Sequence, residues 1–534
     1  MRDIPRWRPS WDGRLRERPH RGLRPLAALL AGVLLGTVPA VSGAQEPRIH
    51  PLTFGGAVAL PGSDRTGPPP DADRTCNVPC AEPMLAVGPD ETLWVSAPRG
   101  FEGLDAMCCN LKASPLWSSG DGGLTWRRGF PTPTSDAGTD HGPSGVSAGR
   151  NTAVAVDAGG NVYVAELWLG NIATFVSQDT GETWRWSPAS TPGTPESLFN
   201  RPWMAYSPAH DALFANYYAG GDLWLARADL DGPAGANAGL LLADARVYAS
   251  QNVACLPVPE QTCAHDDVLG FPGGTYGRLR APGRPAIDPG DGTIYLPLSH
   301  GTPGEGMRAA VSEDGGRSFR YATVPQSGMG TDASGRAFTE AMHPAAAVDE
   351  AGNAYLTWVE RTEEGGYVVV LSSSSDRGET WSPPLPVSDG TSGTAVFPAI
   401  AAGAAGRVAV GWYGAPDFRG EPGGAPAGTT WEVDVAVTLN GDQTSPSFEV
   451  ARMDEGFHQG SIRTASVGDG RLGDFFDLKV EASTGALLLV YARDRGEATE
   501  LVFRRQVDGC SLTRPGEGIG AGLPTQPGEE PTEC

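Results

Sequence analysis

The chain has 534 residues and a formal net charge of -23, with Lys only at Lys112 and Lys479, so nearly every cation is Arg. Phosphate binding needs a basic surface, so this balance speaks against a nucleic-acid partner, while a local Arg cluster can still hold a small anion. Length alone suggests three or four domains by the usual size prior, unless repeated units share one assembly.

In chain order, Arg14 to Arg24 is basic, Leu26 to Val38 is apolar, and Ser42-Gly43-Ala44 places small residues before Gln45. This predicts a signal peptide over residues 1–44 and a secreted mature chain, periplasmic or extracellular. The apolar run is short for a membrane span, an uncleaved anchor being the alternative, and no span is expected after cleavage. Eight cysteines fit an oxidising compartment. Proximity predicts the pairs Cys255–Cys263 and Cys510–Cys534, with Cys76, Cys80, Cys108 and Cys109 paired among themselves. Zinc at Cys76-x3-Cys80 is the weaker reading, since no His-rich partner spacing follows.

Residues 45–80 are rich in Pro, Gly and Asp and read as an N-terminal arm. A repeat then runs through residues 81–509, and a Cys-bracketed tail, 510–534, follows. Each copy opens with a small apolar strand, a turn and a second strand, starting at Pro83, Asn151, Pro202, Pro285, Pro344, Pro398 and Phe475. Alternating strands and Asp/Gly-rich turns argue for β structure throughout.

Four copies carry Ser-x-Asp-x-Gly-x-Thr/Ser-aromatic, at Ser119–Trp126, Ser177–Trp184, Ser312–Phe319 and Ser374–Trp381. Their Asp121, Asp179, Asp314 and Asp376 can bond nearby backbone amides while Gly supplies a positive φ. Degraded equivalents fall near Asp229, Asp442 and Gln506. The pattern resembles the Asp box, or BNR repeat, of the sialidase-like β-propellers. That resemblance implies an all-β propeller of four-stranded blades; the seven copies of the repeat make it seven-bladed, a departure from the six blades of sialidases, which are the alternative. The last copy shows only three strands, so Arg48–Phe54 of the arm is the candidate for a missing outer strand.

Strand alternation puts the Asp boxes on the short-turn side and the long loops opposite, which makes the long-loop side the expected ligand face. The residues entering the innermost strands there are Glu82, Arg150, Arg201, Arg284, His343 and Asp474, with Arg463 and Arg471 just before the last blade. Sialidases hold a substrate carboxylate with three arginines, use a tyrosine–glutamate pair as nucleophile and an aspartate as acid/base. Carried over, the resemblance offers Arg201, Arg284 and Arg463 for the anion and Glu82, Asp140 or Asp474 as acids. Tyr217, Tyr413 and Tyr491 are the available tyrosines, and His343 and Trp203 complete the candidate ligand contacts. The family's Phe/Tyr-Arg-Ile-Pro motif is absent; the nearest text is Asn200-Arg201-Pro202-Trp203.

Each of these residues also has a plain structural role to fill. Arg201 and Arg284 can simply pair with acids between blades, Asp474 can be a turn residue, and Trp203 and Trp412 can be blade packing. His343 and His458 are isolated, which is weak evidence for a metal. Asp229-Leu230-Asp231-Gly232 resembles a fragment of a calcium loop without its downstream Glu, so no cofactor is required and Ca2+ is at most optional. The expectation is a carbohydrate or small anionic ligand without standard sialidase catalysis. An exo-sialidase-type hydrolase and a protein-interaction scaffold are the alternatives.

Overall fold

The computed structural model describes residues 48–64, 80–98, 100–101, 114–131, 148–149, 151–168, 171–187, 199–219, 222–230, 251–252, 279–300, 306–327, 342–388, 393–463, 468–496, 499–520 and 532–534. The expected leader and Asp140, Arg150, Cys76, Cys108, Cys109, Cys255 and Cys263 lie outside them. The described chain is all-β, its one helical element being a 3-10 turn at Pro422–Gly424. Among these residues no helix is long and apolar enough to cross a membrane.

The strands fall into consecutive antiparallel sheets at the predicted repeats. Their opening strands are Met84–Val87, Thr152–Val156, Phe199–Ser207, Ala286–Ile287, Ala345–Val348, Thr394–Ala402 and Asp477–Val480. The first three sheets have four strands each, and the fourth gains a fifth from Leu279–Pro282. A single parallel bridge, Tyr367 to Thr394, joins the fifth sheet to the sixth. The opening strand of each sheet lies against that of the next, and Asp477–Val480 of the seventh lies back against Met84–Val87 of the first. No single sheet closes on itself; the series of opening strands returns to its start.

The arm supplies the outer edge of the last sheet. Thr53–Phe54 and Val58–Ala59 pair antiparallel with Thr499–Cys510, at Thr53 to Asp508, Phe54 to Gln506, Val58 to Phe503 and Ala59 to Val502. Within the expected stretch 48–54, Arg48–Ile49 instead pairs parallel with Thr532–Glu533 of the tail. Cys510 and Cys534 are joined as a disulfide, and Cys80 is disulfide-bonded as well. Arg407 donates to the carbonyls of Ser511 and Cys534, binding the tail to the sixth sheet.

The four Ser-x-Asp-x-Gly turns share one hydrogen-bond pattern. The Ser hydroxyl donates to Asp Oδ1 at 2.8–2.9 Å and accepts the Gly amide at 2.8–2.9 Å. The Thr or Ser amide donates to Oδ1 at 2.8–2.9 Å, and its hydroxyl to Oδ2 at 2.5–2.6 Å. Bonds to the charged form favour it. Thr125 accordingly holds the Asp121 carboxyl down at about 2. Thr183 lowers Asp179, and in Asp314 and Asp376 burial, the largest single influence, pushes upward but is outweighed by the hydrogen bonds of each turn taken together. Gly123 shows why the glycine is needed: φ is +89°, and a Cβ there would lie 1.9 Å from the Phe503 ring.

The turns between first and second strands use a second fastener. Asp157 Oδ1 accepts the Gly159 and Asn161 amides while Oδ2 accepts Asn161 Nδ2 and the Tyr163 hydroxyl. Asp349 repeats this with Ala351, Asn353 and Tyr355. The degraded turn of the sixth copy is built on Thr438 and Asn440, two residues before the predicted Asp442. Gln506 is not a turn residue: it lies within the last strand and accepts the Leu487 amide.

Candidate functional site

Residues just before, or at a bulge early in, the opening strands of the first, third, fifth and sixth sheets share a positive φ, Arg201 and Phe397 lying within their strands. Glu82, Arg201, His343 and Phe397 have φ of +53°, +54°, +32° and +56°, and each precedes a proline. Left-handed φ is costly for residues with a Cβ, and a following Pro narrows the choice further, so each position stores roughly 1–3 kcal/mol of strain. The long-range partners of Glu82 and Arg201 lie on the segment that leads into the seventh sheet.

There a charged cluster forms. Arg201 is ion-paired to Asp474 across 273 residues of sequence. The Arg463 guanidinium stands 3.9 Å from Asp474 Oδ1, with its side chain 37% exposed. Glu82 accepts the Asp474 amide on Oε1 at 3.2 Å and Asn151 Nδ2 on Oε2 at 2.7 Å. Burial, with the Asp474 carboxylate adding to it, pushes the Glu82 carboxyl up to about 7 against the pull of Arg201 and Arg463. Burial works against the Arg201 charge, but Asp474 and Glu82 outweigh it and leave that guanidinium more basic than usual. Arg201 Nη1 is buried with no hydrogen-bond partner among the described residues.

Arg284 is placed differently. It spans from the fourth sheet to the seventh, donating to Asp477 Oδ1 at 2.8 Å and to the Phe476 carbonyl. Asp477 also accepts the Leu85 amide of the first sheet at 2.8 Å, so one carboxylate fastens three sheets. The Arg284 guanidinium sits over the Trp203 ring at 4.9 Å and the Phe475 ring at 5.2 Å, with His343 packed against both aromatics. Trp203 is therefore a buried cation–π partner of an arginine, not a platform for a sugar ring. Arg284, buried against these rings and held by Asp477, fastens the fourth sheet to the seventh.

The tyrosines are likewise enclosed. Tyr413 is buried and stacks on Phe476 at 4.8 Å. Tyr491 donates to Asp454, and Arg504 bridges the two; this Tyr–Asp–Arg group links the outer strand of the sixth sheet to the second and third strands of the seventh. Tyr217 is buried in the packing of the second and third sheets. Neither expected histidine joins a metal cluster: among the described residues no group of three or more His, Cys, Asp and Glu is placed to hold an ion. His458 bonds Asp494 and the Ser461 carbonyl, and Asp229 accepts from Arg227.

The structure thus brings Glu82, Asp474, Arg201 and Arg463 together and sets Arg284, Trp203 and His343 in a separate buried cluster. Sequence reasoning missed Asn151, Phe397, Phe475 and Asp477. The recurrent Xaa-Pro at strand entries was a usable signal for Phe397; the others declare themselves only through contacts distant in sequence.

No family model matches the chain, and no curated protein matches it in sequence. Solved structures similar to it include a protein of unknown function from Dyadobacter fermentans DSM 18053, at 10% identity and a TM-score of 0.41, covering 85% of this chain and 98% of that one. A leech intramolecular trans-sialidase, complexed with 2,7-anhydro-Neu5Ac, aligns at 12% identity and a TM-score of 0.37, over 81% of this chain and 68% of its own. An alpha-L-arabinanase from Penicillium chrysogenum, complexed with arabinobiose, gives 14% identity and a TM-score of 0.35, over 77% and 99%.

Proposed function

We propose that this is a secreted, seven-bladed Asp-box propeller whose long-loop face binds an anionic carbohydrate at Arg201, Arg463, Glu82 and Asp474. The Cys510–Cys534 disulfide suits an oxidising compartment, and the returning series of opening strands suits a propeller. The observation that carries the ligand reading is the Arg201 guanidinium, whose Nη1 is buried without a hydrogen-bond partner among the described residues, while Arg463, half-exposed, stands at the same Asp474. Buried donors are nearly always satisfied, and a carboxylate or hydroxyl oxygen of a ligand is the natural acceptor. Standard sialidase catalysis is not part of this reading, because Arg284 is committed to Asp477 and Tyr217, Tyr413 and Tyr491 are buried.

A hydrolase is the second reading, and one feature favours it. Glu82, pushed up to about 7, can hold a proton beside the Asp474 carboxylate, and two carboxyl groups of unlike protonation are the equipment of acid/base glycoside cleavage. The test is turnover of a fluorogenic sialoside by the chain from Gln45, beside equilibrium binding of N-acetylneuraminate and D-glucuronate. Binding that Arg463→Ala weakens at least tenfold, with no turnover above blank, is the expected result. Turnover abolished by Glu82→Gln in folded protein would replace the binding reading with the hydrolase.

A further inference from the structure

Among the described residues, Glu82 is the one acid of the cluster with no ion pair of its own. Both its oxygens accept from neutral donors, the Asp474 amide and Asn151 Nδ2, while Arg201 and Arg463 turn to Asp474. The residue is 7% exposed, so water offers its charged form little help. The groups facing it are the Asp474 carboxylate from the seventh sheet's entry, the Arg201 guanidinium from the third sheet, Arg463 from the segment before the seventh, and neutral Asn151 from the second.

The charge of the site follows from these neighbours. Two guanidiniums and the Asp474 carboxylate sum to one positive charge when Glu82 is protonated and to zero when it is not. An anion entering beside Arg201 and Arg463 meets a complementary site in the first state and a neutral one, with a second buried carboxylate close by, in the other. We propose that the site takes up its anion together with a proton, which resides on Glu82, so that it captures singly charged carboxylated sugars in mildly acid surroundings and releases them in alkaline ones. This rests on the anion-site reading above.

The direction of the effect is fixed by linkage. A carboxyl raised to about 7 is protonated below that pH, so binding is strongest there and is lost as pH rises through it. If the occupied site keeps its proton, affinity falls about tenfold between pH 6 and pH 8. No comparable change arises from the arginines, which stay charged throughout.

The experiment is calorimetric titration of the whole chain with D-glucuronate and with N-acetylneuraminate at pH 6, 7 and 8, in two buffers of different ionisation enthalpy. A roughly tenfold weakening, with net proton uptake near neutral pH, is expected for the native chain. Glu82→Gln is expected to flatten the profile; Arg463→Ala, altered at a half-exposed position, is expected to weaken binding at every pH and keep the slope. Binding to the native chain that is unchanged from pH 6 to pH 8 and releases or takes up no proton overturns the coupling and leaves the anion site standing. Failure of both sugars to bind at any pH overturns the two together.

Discussion

The two ends of the sheets are fastened by different means. At the short-turn end, each Asp of the Ser-x-Asp-x-Gly turns is satisfied by partners two to four residues away. At the opposite end, Arg284 reaches Asp477 across 193 residues and Glu82 reaches Asp474 across 392. The first kind of contact belongs to a turn and forms wherever the turn forms. The second exists only when the whole series of sheets is in place, and it leaves charge and strain at the strand entries. Local fasteners build the scaffold, and long-range ones define its chemistry.

The difference can be sharpened by removing one contact of each kind. Arg284→Ala leaves the Asp477 carboxylate, whose side chain is 0% exposed, with Lys479 at 3.3 Å as its remaining cation, so the loss is expected to fall below the about 3–5 kcal/mol of a buried pair broken outright. A clear fall in the urea midpoint is expected; a loss under about 1 kcal/mol would mean that Lys479 and the Leu85 and Leu478 amides satisfy Asp477 without Arg284. Ser374→Ala removes one donor and one acceptor from a single turn and is expected to cost about 1 kcal/mol by the same measurement. A cost equal to that of Arg284→Ala would erase the distinction between the two ends. Arg127→Ala breaks an exposed pair with Glu182 at 2.8 Å, which links neighbouring turns, and less than about 0.5 kcal/mol is expected.

The same division decides what could be read from the sequence. The strand starts, the four turns and the Cys510–Cys534 pair were legible because each rests on residues close in sequence or on a pattern repeated along it. The arm's pairing with the last sheet was legible too, since three strands leave an edge; its register, at Thr53 and Val58, was not. The candidate site was legible only as residue types at strand entries. Nothing local separates Arg201, which stands with Asp474 and Glu82, from Arg284, which is sealed under Trp203 and Phe475, because both precede Pro at the same point of the repeat. The Thr438–Asn440 turn escaped notice because its side chains replace Ser and Asp with shape-related partners.

The left-handed residues before proline carry a broader consequence. Glu82, Arg201, His343 and Phe397 occupy the same backbone geometry yet bear an acid, a base, an imidazole and a phenyl ring. Such positions are sockets of one shape, into which different reagents have been fitted while the surrounding strands keep their course. A scaffold of this kind separates form from chemistry: the positive φ is common to the four positions, and the side chain each one carries is not.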